Sequence, residues 1–205
     1  MKTKVENFER QELFDMYDSR TNPFSIITTR IDITNIYELC KTKKNIYGTI
    51  GYYFTKAMNK IDAFKYVKLD GEIYKYDILN LNYVELLDDG NIGFFTSKFY
   101  DDYEEYLENY IKTKNEFMKT KQYNGNEEDG EVWLSCEPWF NFSGIIPPFD
   151  KNISTPQLIW DKFIFDNEHV YVNLMIMAHH GFVDGSHIGA LINNINEEIS
   201  KIKSE

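Results

Sequence analysis

The chain has 205 residues, a formal net charge of −11 and an apolar fraction of 42%. That length suits one large domain, residues 1–205, and the acidity argues against a nucleic-acid partner, which would need a basic face against phosphate. No apolar run could span a membrane, no repeat or linker divides the chain, and no signal-like segment follows the first residues; the expectation is a cytoplasmic protein without membrane contact.

Residues 8–17 read as a short helix with Phe8, Leu13, Phe14 and Tyr17 available for burial, broken by Asn22-Pro23. Residues 24–33 alternate as a strand. Thr34 can cap a helix to residue 43, with Ile36, Leu39 and Cys40 inward, and residues 47–61 form a second helix. Short strands are predicted at 65–68, 72–76, 83–87 and 92–96, separated by Asp70-Gly71 and Asp88-Asp89-Gly90 turns. A long amphipathic helix, 102–121, leads into a polar surface loop at 124–131. Strands follow at 132–136 and 160–165, then a turn at Asp166-Asn167-Glu168 and a buried strand at 171–178. Residues 188–202 close the chain as a helix with Ile188, Leu191, Ile192, Ile195 and Ile199 on one face. Helices interleaved with hairpin-linked strands imply an α/β (α+β) two-layer sandwich over a mixed β-sheet. The 15 Tyr and 15 Phe fit a large aromatic core or, in part, an aromatic-lined pocket. Cys40 and Cys136 read as two buried thiols of a cytosolic protein and lack metal-ligand spacing.

The chemistry concentrates in Met177-Ala178-His179-His180-Gly181-Phe182-Val183-Asp184-Gly185-Ser186-His187. An imidazole at the end of a rigid strand is well mounted for a general base, and its ordinary pKa lies near physiological pH. Consecutive strand residues face opposite sides, so His179 and His180 cannot share a role. A zinc reading of His179, His180, Asp184 and His187 fails on geometry, because a strand-to-helix break replaces the helical i, i+4 face that zinc would need. No metal is expected, and no glycine-rich phosphate loop is present.

Three further segments accompany that motif: Phe8-Glu9-Arg10-Gln11-Glu12-Leu13-Phe14, Ile31-Asp32-Ile33-Thr34 and Ser135-Cys136-Glu137-Pro138-Trp139. Together with His180-x-x-x-Asp184-Gly185, they make the chain resemble, from about Phe8 to its end, the chloramphenicol acetyltransferase family of coenzyme A-dependent acyltransferases. The resemblance implies an antibiotic-resistance O-acetyltransferase that moves the acetyl group of acetyl-CoA to a hydroxyl of chloramphenicol. It also implies a homotrimer with active sites at subunit interfaces. On the same basis His180 is the general base, Ser135 donates to the oxyanion, and Arg10 pairs with Asp184 to hold the motif's loop. Lys162 and Phe163 match positions near the coenzyme A channel, and Trp133, Ile145, Pro147 and Ile159 match positions that line or border the acceptor pocket.

The chain departs from the family pattern at Met177-Ala178, Gly181 and Ser186, at Ile159 where a threonine is usual, and around Trp133, Ile145 and Pro147. These changes leave the base and the oxyanion donor in place and bear on the acceptor. One alternative is an acyltransferase for another alcohol or amine; another is a binding protein that sequesters hydrophobic ligands without turnover. Ser135 as a covalent nucleophile lacks the Gly-x-Ser-x-Gly elbow. A dihydrolipoamide acyltransferase domain shares the histidine signature but would follow a lipoyl domain and a Pro/Ala linker, which this sequence lacks.

Overall fold

In the computed structural model, which describes residues 1–126 and 129–202, strand β1 (Lys2–Lys4) is followed by helix α1 (Gln11–Asp18), β2 (Phe24–Asp32), α2 (Thr34–Lys43) and α3 (Ile46–Asn59). After one 3-10 turn come β3 (Tyr66–Leu69), β4 (Glu72–Tyr76), β5 (Leu79–Leu86), β6 (Ile92–Ser97) and α4 (Tyr103–Thr120). The chain continues through β7 (Gly130–Glu137), β8 (Gln157–Asp161), β9 (Ile164–Asp166) and β10 (His169–His179) to α5 (Gly185–Ser200). Part of the polar loop expected at 124–131, Glu127 and Glu128, lies outside the described residues.

The main sheet has the order β2-β10-β8-β7-β5-β6, with β9 also pairing β10, and a small sheet has the order β1-β4-β3. β7 runs parallel to both β5 and β8 while the other pairs are antiparallel, so the sheet is mixed as expected. Alternation along the strands separates its faces. Leu158, Trp160, Leu174, Ile176 and Ala178 join the large core beneath α3 and α5, whereas Ile159, Met175 and Met177 form a second cluster with Phe24 and Phe142. The helices therefore cover one face, and the β7–β8 connection lies over part of the other.

The aromatic wealth is mostly core. Tyr52, Tyr83, Tyr106, Phe54 and Phe95 are fully buried, and the Tyr83 and Tyr106 hydroxyls, 2.7 Å apart, converge on the Gly48 carbonyl at 3.1 and 3.0 Å. α3 approaches α4 so closely that a Cβ on Gly48 would lie 2.6 Å from the Tyr110 ring.

Three expectations need correction. α1 begins at Gln11 rather than residue 8, because Arg10 is its N-cap in a non-helical conformation and sends its side chain elsewhere. β1 was not expected; three polar residues carry no apolar pattern, and they extend only because they pair along β4. The strand expected at 160–165 is broken. Trp160 faces Leu174 and Ile164 faces Tyr171, so residues 161–163 stand opposite only residues 172 and 173. That is a β-bulge, which strand propensity along residues 160–165 does not disclose. Cys40 and Cys136 are free thiols, Cys40 buried as expected and Cys136 only half-buried, and among the described residues no helix is long and apolar enough to cross a membrane.

Gly48→Ala is expected to destabilise the fold by about 1–3 kcal/mol through overpacking against Tyr110. Urea unfolding of the two proteins measures this, and an unchanged midpoint would mean that α3 and α4 are not held at this separation.

Candidate active site

β10 ends at His179, and the chain turns sharply into α5 through Phe182 N–H and Val183 N–H donating to the His179 carbonyl, at 3.0 and 2.9 Å. Gly181 lies against α1: a Cβ there would come within 2.8 Å of the Phe14 Cα, which accounts physically for glycine at this departure from the family pattern. Asp184 caps α5, its carboxylate accepting from Ser186 N–H and its own N–H meeting His187 Nδ1 at 3.2 Å. The Ser186 hydroxyl bonded to it, ahead of the α5 backbone N–H groups and the neighbouring His187 ring, holds the Asp184 carboxyl down to about 2.

Within this turn the two histidines are set in opposite tautomers. His179 is fully buried among Phe14, Phe24 and Phe182, and its Nδ1 accepts from Gly181 N–H at 3.1 Å. The proton of the neutral ring therefore sits on Nε2, 3.5 Å from Asp18 Oδ1. Burial outweighs the attraction of Asp18 and lowers the His179 pKa to about 4. His180 is half-buried, and its Nδ1 lies 3.0 Å from the Val183 carbonyl, which can only accept. Nδ1 must carry the proton, leaving the Nε2 lone pair as the basic site. His180 N–H donates to the Pro23 carbonyl at 2.8 Å, and the ring lies against Tyr17, centroids 4.1 Å apart. The sequence marks Tyr17 only as a residue available for burial; its contact with the histidine depends on how α1 docks.

Arg10 ties the turn together. Its Nη1 donates to the Phe182 carbonyl at 3.0 Å and its Nη2 lies 3.1 Å from Asp184 Oδ2. The pair is half-exposed, with side chains 26% and 36% accessible, so it carries less energy than a buried ion pair would.

Ser135 is not beside His180 in one chain. It registers with Ile159 across β7–β8, and Ile159 registers with Met175, five residues before His180. At roughly 3.3 Å per residue this offset alone is about 16 Å. Trp133 shares the helix-free face with Ser135, being two residues away on β7. On that face Ile159 and Ile145 belong to the second apolar cluster, Pro147 is buried and Trp133 half-buried. Lys162 and Phe163 fall in the bulge. Lys162 is exposed and makes no ion pair among the described residues, while Phe163 is half-buried edge-on to Tyr37, centroids 6.1 Å apart.

Two measurements probe this geometry. In a double-mutant cycle of Arg10→Met and Asp184→Asn, which keeps a capping residue, the coupling energy should be about 1 kcal/mol or less; 3–5 kcal/mol would indicate a buried pair. His179 titrates near 4 when folded against an ordinary 6.5. The unfolded chain thus takes up this proton first, and its contribution to stability, complete above the unfolded value, is lost as pH falls from about 6.5 toward 4. His179→Asn should flatten the pH dependence of the unfolding midpoint in that window; an unaltered slope would show that the ring is not held neutral.

The model of the family described as chloramphenicol acetyltransferase matches residues 1–196 of the chain. A chloramphenicol acetyltransferase from Staphylococcus intermedius is 29% identical, with 97% of this chain and 95% of that one covered. A solved structure of a chloramphenicol acetyltransferase superposes with a TM-score of 0.82 at 20% identity, covering 97% of this chain and all of the other. A probable dihydrolipoamide acetyltransferase from Listeria monocytogenes has the same fold, with a TM-score of 0.69 at 11% identity and coverage of 99% and 96%. A fold of this group, the histidine turn and a family match over almost the whole length together identify the chain as an acyltransferase belonging to the chloramphenicol acetyltransferase family.

Proposed function

We propose that this protein acetylates a hydroxyl of chloramphenicol at the expense of acetyl-CoA, with His180 as general base. The observation that carries the reading is the Val183 carbonyl on His180 Nδ1, because it leaves a lone pair on Nε2 in the neutral ring. Nε2 takes the hydroxyl proton as the oxygen bonds to the thioester carbonyl carbon. Collapse of the tetrahedral intermediate breaks the carbon–sulfur bond, and the departing thiolate recovers the proton from His180.

The oxyanion needs a positioned donor, and that role goes to the Ser135 hydroxyl of the partner subunit. Two observations support a shared site: the separation of Ser135 from His180 along the sheet, and the large exposed apolar side chains of Trp139, Phe140 and Ile146 just after β7. A homotrimer, as the family resemblance implies, would bury such a face. Arg10 and Asp184 fix the turn. Lys162, which has no carboxylate partner among the described residues, would meet a phosphate of coenzyme A, and Phe163 would offer its ring to adenine. The two free thiols fit the reducing cytoplasm.

Trp133, Ile145, Pro147 and Ile159 would border the acceptor. The bulk of Trp133 and the apolar character of Ile159 favour a second reading in which another alcohol is the preferred acceptor. Acetylation of chloramphenicol should then run well below the diffusional ceiling of roughly 10⁸ M⁻¹s⁻¹ in kcat/KM. A constant near that ceiling would show a fully adapted pocket, and turnover of another alcohol with none of chloramphenicol would establish the second reading.

His180→Ala should abolish thiol release while circular dichroism stays native, and Ser135→Ala should lower kcat roughly 10²-fold with little change in KM. Retained activity in His180→Ala with loss in His179→Ala would make His179 the base. An acetyl group trapped on Ser135 by mass spectrometry would replace direct transfer with a covalent route.

A further inference from the structure

At the bulge between β8 and β9 lies a carboxylate that the chemistry above does not use. Asp161 is fully buried, and among the described residues no cation pairs with it. Its Oδ1 accepts from Asn173 N–H at 2.7 Å, taking the place of a backbone partner where the β8–β10 ladder is interrupted. Its Oδ2 accepts from Asn173 Nδ2 at 2.7 Å, Asn141 Nδ2 at 3.1 Å and Phe142 N–H at 3.1 Å. A buried carboxylate is stable only with its lone pairs occupied, and here four neutral donors occupy them. Two of those donors belong to the β7–β8 connection. The strap is doubled at the adjacent residue, where Lys162 N–H donates to the Phe140 carbonyl and Asn141 Nδ2 donates to the Lys162 carbonyl.

This strap carries the apolar contacts of the helix-free face. Residue 142, whose N–H is held by Asp161, inserts its ring beside Ile159, Met175 and Met177, and Ile145 packs on the same cluster three residues later. Ring insertion alone leaves the connection free to slide over a flat apolar surface; directional bonds to one buried anion remove that freedom.

We propose that Asp161 is a positioning residue that fastens the 140–145 segment to the sheet and so sets the wall that the acceptor meets. The assignment rests on the proposed function for the identity of the acceptor, and on the hydrogen bonds alone for the fastening. Asp161→Asn is the sharpest change. Its amide must present NH₂ to at least one of the four donors, so one bond is replaced by a donor–donor contact. Asn141→Ala removes the strap's side-chain bonds at an exposed position and keeps the test alive if Asp161→Asn does not fold.

In the folded variants the KM for chloramphenicol should rise about 10-fold with a much smaller change in the KM for acetyl-CoA, as expected when a pocket wall moves by a fraction of an ångström. Amide exchange at Phe142 should accelerate. Unchanged acceptor KM in both variants, a parallel rise in both Michaelis constants, or unaltered protection at Phe142 would overturn the proposal. If the wild-type protein leaves chloramphenicol unacetylated, the proposed function falls, and the exchange rate at Phe142 alone decides whether Asp161 fastens the segment.

Discussion

The carbonyl of Val183 governs the site. It can only accept, so the ring it faces must place its proton on Nδ1, and Nε2 of His180 is then left with its lone pair. That carbonyl is where it is because the chain turns within four residues from a central strand into a capped helix. The turn is held from three sides: the His179 carbonyl receives two of its N–H groups, Arg10 binds its Phe182 carbonyl and Asp184 carboxylate, and Asp184 begins α5. No one of these interactions is large, and the ion pair is half-exposed. Rigidity comes from their convergence on so short a segment.

The adjacent histidines show how position alone divides labour between identical side chains. One ring receives an N–H at Nδ1, the other offers its Nδ1 proton to a carbonyl, and the two tautomers follow. His179 is sealed among aromatic rings and titrates near 4, so it stays neutral at physiological pH and serves packing. His180 lies just beyond the strand, with one face on Tyr17 and access to the outside. Gly181 permits this by letting α1 approach the turn at a distance no side chain would allow.

Most of the fold was legible because it is written in local periodicity: α2, α4 and the β10–α5 junction fall within a few residues of where spacing and caps put them. The elements that escaped depend on distant partners. β1 is a strand only because β4 offers it an edge, and the bulge exists only because Asn173 and Asp161 meet across the hairpin. The histidine turn could be read, since every residue in it is a sequence neighbour, and Arg10 came through the family resemblance. The contact of Tyr17 with His180 and the strap at Asn141 join residues more than a hundred and about twenty apart, respectively, and no spacing rule reaches them.

The sheet's two faces meet different demands. Under the helices it carries the core; on the other face stand Trp133, Ser135 and Ile159, and Ser135 registers through Ile159 with Met175, five residues before its own His180. Under the proposed function a working site draws His180 and Ser135 from different copies. Co-refolding equal amounts of His180→Ala and Ser135→Ala chains tests it directly, since mixed oligomers then contain some sites with both groups intact. With random assembly about a quarter of sites should be complete, and thiol release should rise from near zero to about that fraction of the wild-type rate. Mixed oligomers that form, as seen by native mass spectrometry, yet gain no activity would contradict the account.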